Sequence, residues 1–123
     1  IPEHLLMREF LTEVRNVLAP DGVLAANTFS TSRLYDNESA TYEDVFGQFY
    51  NLRSNNRVIL LKRDGLPPLE TLRRNALVLD PAFKPFDVQS DGLLKLFSTE
   101  RNWRTSARVL TDKFSPSNLL NTP

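Results

Sequence analysis

Residues 14–30 read VRNVLAPDGVLAANTFS, and this stretch decides the predicted fold. An amphipathic segment ends in turn chemistry at Pro20, Asp21 and Gly22, and the short apolar run VLAANTF follows directly. A run of this kind, bounded by glycine and by polar residues, predicts a strand buried on both faces, as in a parallel sheet. A helix, a tight turn and a buried strand form half of a βαβ unit, so the predicted fold class is α/β.

The rest of the chain predicts further helices around one hairpin. Four segments have the apolar spacing or the boundaries of helices, and they span residues 3–18, 38–46, 69–79 and 90–97. The aromatic run 46–54 and the aliphatic run 56–63 meet at an Asn-bearing turn, which predicts an antiparallel β-hairpin. Antiparallel strands commonly end an otherwise parallel sheet, so we expect a mixed sheet with a terminal hairpin and flanking helices.

Local signals set the expected helix ends. Pro2 suits the start of the first helix, and Pro81 is expected to stop the helix that begins near residue 69. Ser90 is expected to cap the short helix that follows, and Ser115 with Pro116 predicts a final turn.

Composition and charge exclude several classes of function. Fifteen basic and fifteen acidic residues cancel, so no long-range attraction for nucleic acid or anionic lipid is expected. The chain has no cysteine, which excludes disulfides, thiolate catalysis and cysteine-bound zinc, and which fits a reducing, cytoplasmic location. No apolar run approaches the roughly 20 residues that span a bilayer, so no membrane segment is expected.

Four short motifs carry a resemblance to a known family. Residues 18–24, LAPDGVL, resemble the L-x-P-G-G-x-L helix–turn–strand of class I methyltransferase-fold proteins. Residues 1–5, IPEHL, resemble the segment after the catalytic loop of the spermidine synthase-like polyamine aminopropyltransferases. Residues 25–27, AAN, resemble their strand after the turn, and residues 107–116, ARVLTDKFSP, resemble a C-terminal segment of bacterial members.

The resemblance implies a fold and a reaction. It identifies the chain as the C-terminal part of a Rossmann-like methyltransferase fold. The parent enzyme is expected to transfer an aminopropyl group from decarboxylated S-adenosylmethionine to putrescine or a similar amine. The family's glycine-rich nucleotide loop, acidic ribose-binding residue and catalytic acid would lie before Ile1. We therefore expect residues 1–123 to be a single partial domain that lacks the nucleotide-binding half, has no catalytic residue of its own and binds neither cosubstrate nor metal alone.

Three residues are candidates for substrate binding. Asn27 falls where the family places a glutamine that faces the amine. It lies at the end of a predicted strand, where ligand sites of open α/β sheets are found. Its amide oxygen could accept a hydrogen bond from an ammonium group. Pro2 and Leu5 fall where the family lines its adenine pocket. The structural alternatives are a buried Asn27 bonded to backbone, a helix-start proline and a core leucine.

Other conspicuous residues have simpler interpretations. Asp36, Glu38, Glu43 and Asp44 could hold a metal or attract a polyamine, but acidic residues near a helix N-terminus need no further cause. His4, the only histidine, is expected at the surface of the first helix.

Two further features concern arginines. Arg101, Arg104 and Arg108 near Trp103 could suggest base stacking, and are predicted instead to be surface neighbours of a packed aromatic. Many spermidine synthases have Tyr-Pro-Ser-Gly at the hairpin turn, where the Tyr helps to enclose the amine. Here the turn region, residues 51–55, reads NLRSN and places Arg53 where it would repel a diamine.

Two alternative functions stay open. One is a methyltransferase on the same fold, because a fold does not fix a function. The other is a non-catalytic homologue that acts by association, as a homo-oligomer, since half a sheet would leave an uncovered strand edge that pairs readily with another chain.

Overall fold

A computed structural model of the chain describes residues 3–114. Pro2 and the final turn predicted at Ser115 and Pro116 lie outside the described residues. The described helices and strands, in chain order, are the 3₁₀ helix Glu3–Leu6, α1 (Arg8–Val17), β1 (Val23–Phe29), α2 (Tyr35–Phe46), β2 (Tyr50–Arg53), β3 (Asn56–Lys62), α3 (Leu69–Phe83), the 3₁₀ helix Lys84–Phe86 and α4 (Ser90–Leu94). The combination of helices and strands predicted from the sequence is confirmed, but the predicted mixed sheet is not seen among residues 3–114, where both strand pairings are antiparallel.

The three strands form one antiparallel sheet in the order β1-β3-β2. The predicted hairpin is confirmed, because β2 pairs with β3 across a turn at Ser54 and Asn55. The central strand β3 also pairs with β1 over its full length, with Ala26 opposite Ile59. No strand among residues 3–114 pairs in parallel with another, so the second long edge of β1 is unpaired within the described residues.

Helices cover one face of the sheet. Side chains alternate along β1, and the face that carries Leu24, Ala26 and Thr28 packs toward α1 and α2. The opposite face carries Val23 and Phe29, which are 62% and 61% exposed. The prediction that β1 is buried on both faces is therefore wrong for the described residues, because no helix or strand there covers its second face.

The core lies between α1, α2 and the covered face of the sheet. Its buried members share contacts across these elements, and they are Leu11, Tyr42, Phe49, Ile59 and Leu61. Ile59 and Leu61 are adjacent inward positions on β3, so the period of two along that strand places both in the core. Burying an aliphatic side chain of this size stabilises the fold by about 1.5–3 kcal/mol.

The predicted helix boundaries are corrected at four places. The segment 3–18 divides because Met7 has extended backbone, at φ −88° and ψ 152°, between the 3₁₀ helix and α1. The helix α2 begins at Tyr35, three residues before the predicted start. The helix α3 continues through Pro81, since a proline near the end of a helix removes one donor and leaves the earlier turns intact. The helix α4 ends at Leu94, and Ser90 is its first residue rather than its cap.

An irregular segment after α4 is anchored on α2 by polar contacts. The Nδ2 group of Asn37 donates to the carbonyl oxygen of Arg108 at 3.0 Å, and the backbone N–H of Leu110 donates to Thr41 Oγ1 at 2.9 Å. Trp103 stacks on Phe49 with ring centroids 5.3 Å apart. These contacts hold the irregular segment against the core. Trp103 packs on another aromatic residue, as predicted from the sequence.

Candidate functional site

The candidate site surrounds the carboxyl end of β1. There the chain leaves the sheet through Ser30, Thr31 and Ser32 and enters α2 at Tyr35. Ligands of open α/β sheets bind outside the carboxyl ends of strands, because the loops that follow are free to vary. Two pockets adjoin this point, one mainly apolar and one polar.

The apolar pocket has a volume of about 210 Å³ and lies between the first two helical segments and β1. It is lined by Leu5, Leu6, Phe10, Leu11, Val14, Leu24, Ala26, Asn27, Thr28 and Tyr42. Residues from both faces of β1 line it, so the pocket reaches the unpaired edge of that strand. An apolar wall with a single amide suits a flat, weakly polar group such as a nucleobase.

The structure brings two of the three candidate residues together in this pocket. Leu5 is half-buried, and Asn27 is exposed. The side chain of Asn27 makes no hydrogen bond to another residue in the range 3–114, so the alternative of a buried, backbone-bonded Asn27 is wrong. Its amide is available to a ligand. Pro2 lies outside the described residues.

The polar pocket has a volume of about 320 Å³ and lies on the other side of the loop that follows β1. It is lined by Ser30, Thr31, Ser32, Arg33, Tyr35, Asp36, Arg53 and Asn102. Arg53 comes from the end of β2, and its Nη2 group donates to the carbonyl oxygen of Ser30 at 3.1 Å. Arg53 therefore lines a pocket, and its repulsion of a diamine stays a prediction.

A buried arginine connects the two pockets. Arg57 is fully buried, and its Nε group donates to Oγ1 of Thr28, in the apolar pocket, at 2.7 Å. Its Nη2 group lies 3.2 Å from Oε2 of Glu38, and its Nη1 group donates to the hydroxyl of Ser39. Its guanidinium carbon lies 3.9 Å from the ring centroid of Tyr35, which lines the polar pocket.

Sequence reasoning missed Arg57. The available signal was an arginine at an inward position of the alternating strand NRVILLK, where a buried charge requires a partner.

Burial is the largest influence on the pKa values of Glu38 and Arg57. Desolvation raises the pKa of Glu38 above its usual 4.5, and the charge of Arg57 with its hydrogen bond offsets part of that rise. Desolvation likewise lowers the pKa of Arg57, and Tyr35 and Glu38 offset part of it. The guanidinium stays charged at neutral pH, because arginine does not lose its proton in proteins. The pair therefore links β3 to α2 and, through Thr28, to the end of β1.

The acidic residues around α2 have partners from other elements. Asp36 pairs with Arg104 at 2.8 Å, Glu43 with Arg101 at 2.6 Å, and Asp44 with Arg8 at 3.6 Å. In the part of the chain that the structure describes, no three His, Cys, Asp or Glu side chains are grouped to hold a metal. Asp36 and Glu43 thereby contribute to the docking of the segment after α4, and Asp44 links α2 to α1.

A hydrogen-bonded cluster forms the base of the polar pocket. The hydroxyl of Tyr35 donates to Oδ1 of Asn102 at 2.7 Å, and Nδ2 of the buried Asn51 lies 2.9 Å from the same oxygen. This cluster holds the Tyr35 ring in place between β2 and the segment after α4. The sequence offered no local signal for it, because Tyr35 and Asn102 are 67 positions apart.

The fold and the two pockets define the class: an α/β protein with two pockets beside the carboxyl end of β1. Comparison with known proteins narrows the class of protein further. The chain is 51% identical, over 124 aligned positions and 98% of its length, to a polyamine aminopropyltransferase of Vibrio vulnificus (strain CMCP6). The predicted resemblance to the polyamine aminopropyltransferases is confirmed.

The chain spans 42% of the length of that relative. No protein-family model matches the chain, and no solved structure does. No helix among residues 3–114 has the length and apolar character needed to cross a membrane.

Proposed function

We propose that the protein containing this chain transfers an aminopropyl group from decarboxylated S-adenosylmethionine to an amine in polyamine biosynthesis. The 51% identity to a polyamine aminopropyltransferase across nearly the whole chain carries this proposal. We further propose that residues 1–123 are a partial domain, completed by a nucleotide-binding half outside these residues. The Rossmann-like character of the complete sheet and a cytoplasmic location stay predictions.

The uncovered side of β1 supports the proposed domain organisation. An unpaired strand edge is a template for another strand, and natural proteins rarely leave a long one open. Val23 and Phe29 on the second face are more than half exposed, as are Leu77 and Val78 on α3. Apolar surface of this kind is typical of an interface, and a further strand beside β1 would cover part of it.

The proposed chemistry is a displacement at the carbon next to a sulfonium. A bond forms between the amine nitrogen and that carbon, the carbon–sulfur bond breaks, methylthioadenosine leaves, and the amine loses a proton to a base. The protein mainly aligns the two partners and keeps the amine neutral. Residues of this chain would supply one wall of the site, and the base would come from the other half.

Each candidate residue has a proposed role at that wall. Asn27 would accept a hydrogen bond from the amine at the carboxyl end of β1, and its unbonded side chain supports this role. Leu5 and Pro2 would contact the adenine. The apolar pocket that Leu5 lines supports this role for Leu5.

The proposal is tested by a transfer assay on the natural gene product that contains this chain. Incubation with decarboxylated S-adenosylmethionine and a panel of amines should yield methylthioadenosine and one aminopropylated amine, detected by mass spectrometry. Asn27→Ala should lower kcat/KM by about 10-fold, because one hydrogen bond to the substrate amine is lost, and Asn27→Asp should retain more activity. Arg15→Gln, an exposed change on α1, is the matched control.

Two outcomes would contradict the proposal. Transfer of a methyl group from S-adenosylmethionine, with no aminopropyl transfer, would favour the methyltransferase alternative. Concentration-dependent self-association, with no transfer of either group, would favour the homo-oligomer, which the open edge of β1 also supports.

A further inference from the structure

We propose that the exposed side of α3 is an interface on which α3 of a second copy of this protein docks antiparallel, about a two-fold axis at Leu77. The α3 face consists of residues that recur at helical spacing around Leu77, and they are Glu70, Arg73, Arg74, Leu77, Asp80, Pro81 and Lys84. The interface is separate from the open edge of β1, and it does not depend on the proposed function.

The helix α3 lacks an apolar partner on this side among residues 3–114. None of its 15 residues is buried, and its main contacts are with α4 and the 3₁₀ helix Lys84–Phe86. Leu77 and Val78 are 71% and 78% exposed. A helix of this length gains most of its stability from packing an apolar face against another element. A partner that covers Leu77 would therefore stabilise α3.

The position of α3 separates it from the strand edge at which the rest of the protein is proposed to attach. The chain leaves for α3 and returns from α4 beside Tyr50 on β2. The Tyr50 hydroxyl donates to the carbonyl oxygen of Pro67 at 2.6 Å, and the Tyr50 ring lies edge-on to Phe97 with centroids 5.2 Å apart. In the order β1-β3-β2, β2 is the edge opposite β1. The half outside these residues is proposed to extend the sheet from β1, at the edge opposite the one that anchors α3.

The charges of the α3 face are self-complementary. In an antiparallel pair centred on Leu77, a residue before Leu77 lies level with the residue equally far after it in the second copy. Glu70 and Lys84 are each seven positions from Leu77 and have opposite charges. Arg74 and Asp80 are each three positions from it and are also opposite. This pattern favours the antiparallel pair, because a parallel pair would place each charge beside its own copy.

These charged side chains are available to a partner. Arg74, Asp80 and Lys84 form no ion pair among residues 3–114. Glu70 lies 3.5 Å from Arg73, and both side chains of that pair are well exposed. An exposed pair of this kind contributes little to stability, so a charge on the second copy can replace it.

A groove beside Leu77 provides room for the second helix. Its volume is about 680 Å³, and its lining includes four residues of the α3 face, which are Leu77, Asp80, Pro81 and Lys84. The remaining lining residues run from Asp87 to Asp91, and the hydroxyl of Ser90 donates to Asp80. A helix that lays its apolar side into a groove is a recurrent mode of recognition. In the two-fold pair, Leu77 of each copy lies against the groove of the other.

Sedimentation velocity on the natural gene product measures the dimer. One helix pair is a small interface, so we expect a reversible dimer that dissociates between about 1 and 100 μM. Leu77→Glu places two carboxylates at the two-fold axis and should weaken the dimer by at least about 10-fold. Leu77 is exposed, so the circular dichroism spectrum of this variant should match the wild type. Arg15→Glu, at an exposed position of α1, should leave the dimer unchanged.

Charge reversal tests the antiparallel register. Glu70→Lys and Lys84→Glu each place like charges level with one another, and each should weaken the dimer by about 3-fold. The variant with both changes restores opposite charges and should dimerise more tightly than either single variant. Both residues are exposed, so these variants stay informative if Leu77→Glu fails to fold.

A cysteine at the two-fold axis tests the centre of the interface. In Leu77→Cys the new side chain lies beside its own copy, so mild oxidation should yield a disulfide-linked dimer. The 123 residues contain no other cysteine, and the wild-type gene product is the control for cysteines outside them. Arg15→Cys should not give this dimer.

Several results would overturn the interface. They are a wild type that stays monomeric at about 100 μM, a dimer that neither Leu77→Glu nor the charge reversals weaken, and no cross-linking of Leu77→Cys. Loss of folding in Leu77→Glu with a monomeric wild type would show that the rest of the gene product covers the α3 face, which also overturns it. A dimer with the expected dependences and no aminopropyl transfer would support the interface and refute the proposed reaction.

Discussion

The substitution Arg57→Met tests whether a buried ion pair fixes the carboxyl end of β1. Arg57 is fully buried, and its guanidinium donates to Thr28, Ser39 and Glu38. Methionine keeps an unbranched apolar stem and loses all three hydrogen bonds. The carboxylate of Glu38, which is 5% exposed, is then left without its cation.

The expected cost follows from that unpaired charge. Removing one partner of a buried ion pair destabilises a protein by about 3–5 kcal/mol, a large part of a typical total of about 5–15 kcal/mol. At a urea dependence of about 2 kcal/mol/M, the unfolding midpoint should fall by roughly 2 M. Burial already raises the pKa of Glu38, so that carboxyl can take up a proton as the pH is lowered. The loss should therefore be greatest near neutral pH and smaller near pH 4.

Urea unfolding followed by circular dichroism measures this loss, and two variants serve as controls. Arg15→Met makes the same chemical change at an exposed position of α1 and should alter stability by less than about 0.5 kcal/mol. The double variant Glu38→Gln with Arg57→Met removes both charges and should be more stable than Arg57→Met alone. A loss below about 1 kcal/mol for Arg57→Met, or a double variant less stable than the single one, would refute this reasoning.

Three further predictions concern stability and pH. Ile59→Val should lower the free energy of unfolding by about 0.5–1.5 kcal/mol, because Ile59 is fully buried in the core; no loss in urea unfolding would contradict that placement. Gly47→Ala should cost about 1–3 kcal/mol by the same assay, because Gly47 has φ 77° and ψ −142°, while Gly92→Ala, at a glycine without a positive φ, is the control. The raised pKa of Glu38 means that the folded state favours its protonated form, so this contribution to stability is full below pH 4.5 and is lost as the pH rises through the folded-state pKa. The stability of the wild type relative to Glu38→Gln should therefore decrease between pH 4 and pH 7, and an increase would contradict the direction of the shift.

Local patterns in the sequence predicted most of the elements. The turn at Pro20–Gly22 and the run that follows it predicted β1, and the two β-rich runs around Ser54 and Asn55 predicted the hairpin. These features depend on neighbouring residues, so a single sequence carries them. The continuation of α3 through Pro81 could not be predicted locally, because Pro is the strongest helix-stop signal and the helix extends only two residues beyond it.

The arrangement of the site depends on contacts that are distant in sequence. Arg57 meets Thr28 across 29 positions and Glu38 across 19, and no spacing rule connects them. The covering of only one face of β1 could not be predicted either, because VLAANTF lacks the strict apolar and polar alternation of a strand with one covered face. Asn27 and Leu5 were singled out by the family resemblance, and their placement in one pocket follows from the packing of the first helical segments against β1.

The central proposal is that the carboxyl end of β1 is one wall of a nucleoside-binding site that residues outside this chain complete. Calorimetry with methylthioadenosine, on the 123-residue chain and on the natural gene product that contains it, tests this claim most directly. The account predicts saturable binding by the gene product and at least about 100-fold weaker binding by the 123 residues alone, since most strand ends of such a site would be missing. Equally tight binding by the 123-residue chain, or none by the gene product, would contradict it.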